Sequence, residues 1–495
     1  MTNYTLGVDV GTFETKGVLV DEAGAIVAQA ARAHKMLVPQ PGWAEHRPDE
    51  DWWGDFVFVT KALLADSGID PSAIKAIACS AIGPCMLPLD SDGKPLMNGV
   101  LYGVDTRAAQ EIDDLNAALG EQAILDFGGN ALTSQAVGPK ILWLKRNRPE
   151  LWAKTARIVP AQSYLTYKLT GAYVIDHFTA ANYAPLYDIK NQCWHDGLGS
   201  DICDVSLLAD LQWSTDIAGG LTAAAAAETG LAEGTTVTCG TIDAAAEAVS
   251  VGAMGAGDMM MMYGSTIFII TVTEALLSDA RLWHAPWLFE GEFCAMAGLA
   301  TSGTLTHWFR DHFAKELTKE EAFGVLAAEA AESPAGAKNL LCLPYFSGER
   351  TPIHDTKAKG TFFGLDLTHT RGDLYRAVIE GVAMGTRHVT DTYAEAGQVP
   401  QRLLAVGGGT KNELWLQGTS DLTGLDQIVC SITTGASYGD AFLARLALGE
   451  VEHGDIETWN PAARTVKAQS HPAYEKNYPL FKALYEQTKD IAHAL

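Results

Sequence analysis

The sequence predicts an α/β protein built from two related halves, and three observations carry the prediction. Residues 6–20 read as two apolar, β-branched runs around a tight Gly11-Thr12 turn, the pattern of a β-hairpin. Residues 258–273 repeat that order half a chain later: strand, Gly264-Ser265-Thr266 turn, strand. Strands and helices alternate through both halves, as layered α/β domains require.

The first hairpin leads the chain. Gly11 has no Cβ and lets backbone approach a ligand closely. The N–H groups of the turn, with the Thr12 hydroxyl, suit phosphate oxygens. Asp9 precedes the turn, where a carboxylate can hold Mg²⁺ directly or through water. Lys16 adds a compact positive charge. The alternative is an ordinary hairpin with a polar turn. The repeat at Gly264 favours two halves with a nucleotide between them. Met262 stands in the second copy near the place of Asp9, so only the first turn carries an acid for a metal. Paired hairpins of this kind resemble the actin-like, sugar kinase and Hsp70-type ATPase fold.

Ala25–Ala31 reads as a third strand and Asp49–Trp53 as a helix start, with acids favoured by the helix dipole. Ile74–Ser80 reads as a strand, residues 108–119 and Lys140–Asn147 as helices, and Tyr164–Leu169 as a helix ended by Gly171. Thr235–Cys239 is a predicted strand, Gly240–Asp243 a turn and Ala244–Val249 a helix. A domain boundary near Ser250 divides the chain into 1–250 and 251–495. In the second half, Leu340–Phe346 reads as a strand, Leu374–Ala394 as a helix, Leu403–Val406 as a strand and the stretch from Tyr438 to Leu448 as a helix.

Two turns carry further chemistry. Asp243 admits two readings. It can cap the helix through its side chain, or it can accept a substrate hydroxyl proton as a general base. An acid at a helix start is also expected to stay ionised, as a base must. Gly407-Gly408-Gly409-Thr410-Lys411-Asn412 joins a strand to a helix, which suits close backbone approach to a nucleotide base or ribose.

The 495 residues, 47% apolar and 19% charged, describe a globular chain with ample core. The net charge of −25 disfavours nucleic acid and anionic membranes as partners. The eight cysteines are scattered without a C-x-x-C pair, so no zinc or thioredoxin-like site is suggested. No signal segment or bilayer-length apolar run is read, and cytoplasm is the expected compartment.

Gly360-Thr361-Phe362-Phe363-Gly364-Leu365, with Asp373-Leu374 and Ala377–Glu380, resembles the C-terminal signature of the FGGY carbohydrate kinases. Leu343–Pro352 resembles the segment before it. Pro41–Glu45 with Trp52-Trp53 is similar to the xylulose kinase branch, and the likeness spans about Gly7 to Gly449. It implies two actin-like (ribonuclease H-like) domains with an ATP cleft between them, and ATP-dependent phosphorylation of a sugar hydroxyl. The substrate it implies is a ketose such as D-xylulose or a related polyol. Asp9 would be the Mg²⁺-associated acid and Asp243 the catalytic base. Gly11, Thr12 and Lys16 would meet phosphate, as would Gly264, Ser265 and Thr266 in the second turn. Gly303 would contact nucleotide, and Gly408, Gly409 and Asn412 the adenosine. The chain departs from the xylulose kinase pattern at Ile82-Gly83-Pro84, where Gln-Met-His is usual, and at Ala244, where Asn is usual. Gly83, Tyr102 and Asp105 are therefore the candidate sugar-side positions. ATP and a sugar are the expected partners, and a homodimer is left open. Two rivals are a catalytically silent, sugar-responsive regulatory protein on the same fold and an Hsp70-like ATPase module.

Overall fold

The computed structural model describes residues 2–495. The chain forms two compact units. Unit 1 takes the chain up to Met254, then Glu274–Cys294 and Thr434–Asn460. Unit 2 takes Gly255–Thr273, Ala295–Thr433 and Pro461–Leu495.

Unit 1 is built on a mixed sheet. Its strands are β1 (Tyr4–Val10), β2 (Glu14–Val20), β3 (Ile26–Ala33), β4 (Ile74–Ala81), β5 (Ile217–Gly220), β6 (Thr236–Thr238) and the short β7 (Thr241–Ile242). They lie in the order β5-β6-β4-β1-β2-β3, with β7 also paired to β4. β1 runs antiparallel to β2 and parallel to β4, and β4 runs parallel to β6. Leu6, Val8 and Val10 are fully buried.

Unit 2 repeats this plan. Its strands β8 (Asp258–Tyr263), β9 (Ile267–Thr273), β10 (Phe293–Leu299), β11 (Arg402–Val406), β12 (Gln427–Cys430) and β13 (Ala462–Val466) are ordered β10-β9-β8-β11-β12-β13. β8 is antiparallel to β9 and parallel to β11, β11 is parallel to β12, and β12 is antiparallel to β13. These four senses match those of β1 with β2, β1 with β4, β4 with β6 and β6 with β5 in unit 1, where β5 is antiparallel to β6. Both predicted hairpins are therefore the starting strands of equivalent sheets.

Three helices concern the site. They are α1 (Asp243–Ser250), α2 (Gly303–Phe313) and α3 (Ala436–Ala447). In unit 1, α3 packs on β1, β4 and α1. Gly439 makes the contact with α1 so close that a Cβ there would lie 1.9 Å from the Ala246 carbonyl oxygen.

Two local expectations differ from the structure. Leu340–Phe346 forms a strand only over Leu341–Leu343, because Pro344 has no N–H to continue the ladder. Gly240–Asp243 is not a plain turn, since Thr241 and Ile242 pair with Ser80 and Ala81 of β4. Among the described residues no helix is long and apolar enough to cross a membrane.

Candidate active site

In unit 1 the hairpin brings Asp9 to the end of β1, beside Ser80 on β4. The Ser80 hydroxyl lies 3.4 Å from Asp9 Oδ1 and 2.7 Å from Asp440 Oδ2 on α3. Asp243 opens α1, and Glu247 follows one turn later on the same helix. Four acids thus share one region with few cations. Burial, then Asp243 and Glu247, raise the Asp9 carboxyl well above the usual range, against Lys16 and Ser80. Burial also raises Glu247 and, more strongly, Asp440, where Asp9 and Asp243 add to the effect.

Asp243 corrects two expectations. It does not cap its helix: Ile242 holds the N-cap position, with extended backbone, and no side chain closes the end. Asp243 Oδ1 instead accepts the N–H of Ala244 at 2.7 Å. Nor is it held ionised by the helix end. Burial, reinforced by Glu247, overrides that single hydrogen bond and pushes the carboxyl up to about 7. A group that titrates there can both hold and release a proton near neutrality.

The Gly11–Thr12 turn joins β1 to β2 directly after this end of β1. Thr12 Oγ1 lies 3.4 Å from the Tyr102 hydroxyl. Lys16 is exposed and sits 3.4 Å from Glu14. Gly83 packs on the Ile242 side chain, next to Asp243.

Asp105 is engaged within the protein. It is fully buried, and its carboxylate accepts the Ala44 N–H at 2.6 Å and the Arg107 guanidinium at 2.8–3.0 Å. Arg107 also donates to Glu45 at 2.8 Å and lies 4.0 Å from the Trp43 ring centre. Asp105 therefore pins the loop at 43–45.

In unit 2 the second turn borders a cavity of about 540 Å³. Gly264, Ser265, Gly303, Gly408, Gly409 and Asn412 all line it. Thr266 does not line it; its carbonyl closes the turn by accepting the Gly264 N–H at 3.0 Å. Gly303 opens α2 against the turn, and a Cβ there would lie 2.4 Å from Gly264 O. Asn412 caps the helix Glu413–Thr423 by accepting the Trp415 N–H at 3.2 Å. Phe323, Tyr375 and Trp415 add apolar walls of a kind that suits a flat aromatic ligand.

The sequence reading passed over Ser80, Glu247 and Asp440, and the apolar walls of the cavity. Asp440 and Glu247 each left a signal, as the one acid inside the mostly apolar runs Ala436–Ala447 and Ala244–Val249.

Comparison with known proteins decides the family. The N-terminal domain of the FGGY family of carbohydrate kinases matches residues 4–250, and its C-terminal domain matches residues 259–448. The chain belongs to the FGGY family of carbohydrate kinases. This kinase is 29% identical to the xylulose kinase of Bacillus subtilis (strain 168), over 99% of the chain and 98% of that relative. It is 30% identical to the xylulose kinase of Escherichia coli (strain K12), over 97% and 98%. The crystal structure of xylulose kinase from Rhodospirillum rubrum superposes with a TM-score of 0.93 at 30% identity, covering 99% of this kinase and all of that chain (100%).

Proposed function

We propose that this carbohydrate kinase transfers the γ-phosphoryl group of Mg·ATP to a hydroxyl of a ketose, D-xylulose first among candidates, with Asp243 as general base. The observation that carries the proposal is the Asp243 carboxyl, fixed at the start of α1 and titrating about 7, in the unit that bears the first phosphate turn. Relatives named xylulose kinase, matched over nearly their whole length, support the sugar class.

Mg·ATP supplies an electrophilic phosphorus whose leaving oxygen the metal neutralises. Asp243 would orient the sugar hydroxyl and take its proton. In unit 1, Gly11, Thr12 and Lys16 would meet phosphate oxygens, and in unit 2 Gly264 and Ser265 would do so. Gly408, Gly409 and Asn412 would border the adenosine, with Phe323 and Trp415 against its base. Asp9 would stand nearest the metal. Among the described residues no group of three or more His, Cys, Asp or Glu forms a cage by itself. Mg²⁺ keeps several waters and needs only one or two carboxylates beside substrate phosphates. The repulsion between Asp9, Asp243 and Glu247 is also what a cation would relieve.

On the sugar side, Gly83 and Ala244 offer no side-chain polar group, and Tyr102 remains the candidate contact through its hydroxyl. A coupled ADP-release assay over pentuloses, hexuloses and polyols tests the proposal. Sugar-dependent ADP release with D-xylulose or a near relative is expected. No release with any of them would overturn it.

A further inference from the structure

Both phosphate turns have their carbonyl oxygens occupied from behind. In unit 2 the Gly264 oxygen accepts the Gly303 N–H at 3.1 Å. The Ser265 oxygen accepts the N–H groups of Ser302 and Thr304, each at 3.1 Å. The hydroxyls of Ser302 and Thr304 add bonds to the same oxygens at 3.0–3.3 Å. The start of α2 thus fixes that turn with backbone and hydroxyl groups.

Unit 1 has no helix at the corresponding place and uses two imidazoles. His34 follows β3, and its Nε2 lies 3.0 Å from the Gly11 carbonyl oxygen. Its peptide N–H donates to the Phe13 oxygen at 2.9 Å. His46 Nε2 lies 3.0 Å from the Thr12 oxygen. Three consecutive carbonyls are therefore held by two residues. A carbonyl only accepts, so each Nε2 must carry a hydrogen.

Each ring is fixed in turn. His34 Nδ1 lies 2.8 Å from Asp55 Oδ2, and Asp55 also receives Thr15 Oγ1 at 3.3 Å and Arg32 Nε at 3.1 Å. His46 Nδ1 accepts the indole N–H of the fully buried Trp52 at 3.1 Å. The two rings meet edge to face, 4.8 Å between centres. Burial, then the neighbouring His34, lowers His46 to about 4, which keeps it a neutral ring with its hydrogen on Nε2.

A trans peptide points its N–H opposite to its C=O. Fixing the oxygens of Gly11, Thr12 and Phe13 on the histidine side therefore turns the N–H groups of Thr12, Phe13 and Glu14 to the other side. We infer that His34 and His46 are positioning residues that orient the first phosphate turn for phosphoryl transfer. The inference rests on the proposed nucleotide role of that turn. In this reading the side-chain partners of both histidines are protein groups. Their effect passes through the peptide planes of the turn.

The test compares His34→Leu and His46→Leu with His34→Gln and His46→Gln. A glutamine amide places an N–H near the position of Nε2, and leucine does not. Misplacing a catalytic group by a fraction of its contact distance costs about 10²-fold in rate. The leucine variants are therefore expected to lose about 10–100-fold in kcat/KM for Mg·ATP, with KM for the sugar little changed. The glutamine variants should recover most of that loss. Leucine variants with wild-type kcat/KM overturn the inference, as do glutamine variants as impaired as leucine. So does a loss that falls on sugar KM instead. If leucine variants do not fold, His34→Asn and His46→Asn, whose shorter amides do not reach the two carbonyls, take their place against the glutamine variants. If the wild-type enzyme turns over no sugar, the proposed function fails by itself. The same four variants are then compared by calorimetric binding of Mg·ADP, where the same ranking is expected and equal affinities would overturn the brace.

Discussion

Asp440 accepts two hydrogen bonds from Ser80: the peptide N–H at 3.1 Å and the hydroxyl at 2.7 Å, both on Oδ2. Its Oδ1 has no hydrogen-bond partner and the side chain is fully buried. An amide oxygen can accept both Ser80 bonds without adding charge beside Asp9 and Asp243. Asp440→Asn is expected to be as stable as the wild type or more so at pH 8. The sign follows from linkage. A raised carboxyl binds a proton in the folded state where the unfolded chain does not, so stability falls as pH rises from the ordinary carboxylate range. The wild type should therefore lose more melting temperature than the Asn variant as pH rises from the ordinary carboxylate range to pH 8. Asp440→Ala leaves the Ser80 N–H unpaired and should cost about 1–3 kcal/mol in chemical denaturation. Equal pH dependence in wild type and Asn would remove Asp440 from the acid group.

For Asp243, the Asn variant keeps the shape and removes the base. Its kcat should fall by about 10²–10⁴-fold, as loss of general base catalysis does. In the wild type, kcat/KM should rise with pH through about 7 as the carboxyl ionises, then level off. The variant's profile should lack that rise. Steady-state rates between pH 5.5 and 8.5 measure both, and near-normal turnover in Asp243→Asn would end the assignment.

Asp9 is the acid at the first turn, and the second turn has Met262 in its place. Asp9→Asn should depress turnover and raise the Mg²⁺ concentration required for half-maximal rate, while circular dichroism stays unchanged. A Mg²⁺ titration at saturating ATP reads this directly. An unaltered Mg²⁺ requirement at near-wild-type rate is the contrary result.

Gly303→Ala should damage the second turn. The new methyl would meet Gly264 O at 2.4 Å, and that oxygen is backbone and cannot rotate aside. Overpacking of this kind costs about 1–3 kcal/mol. KM for ATP should rise while KM for the sugar holds. Unchanged melting temperature and ATP kinetics would mean that the turn yields without consequence.

Asp105 should matter to folding rather than to sugar. Asp105→Ala leaves the Arg107 guanidinium, whose side chain is fully buried, short of its main anion. Breaking a buried pair from one side costs about 3–5 kcal/mol. Urea denaturation should show the loss, and sugar KM of the remaining folded enzyme should move little. A large rise in sugar KM with intact stability would return Asp105 to the site.

Much of the framework was readable because it is local. The hairpins at Gly11 and Gly264 announce themselves by β-branched runs around small turns, and the signature from Gly360 to Glu380 identifies the family. What escaped reading is brought in from far along the chain. Asp440 meets Ser80 across 360 residues, and nothing in either neighbourhood names the other. His34 and His46 act on carbonyls of a turn 23 and 34 residues away, through a loop without regular periodicity. Asp105 was read only for the likeness of its motif to a sugar contact, and its bonds to Arg107 and to Ala44, 61 residues away, became visible only in the fold. Asp243 was placed correctly at a helix start, but its protonation depends on Glu247 and on burial, which only packing reveals.

Unit 1 cannot be completed in the order in which the chain is made. Its sheet and the Asp243 helix emerge from the ribosome long before Ala436–Ala447, the helix that brings Asp440 to Ser80. Nascent chains must wait with β1 and β4 uncovered on one face while all of residues 295–433 are synthesised. The acid cluster is therefore among the last features of the enzyme to form, so a prematurely terminated chain carries Asp9 and Asp243 without the helix that packs behind them.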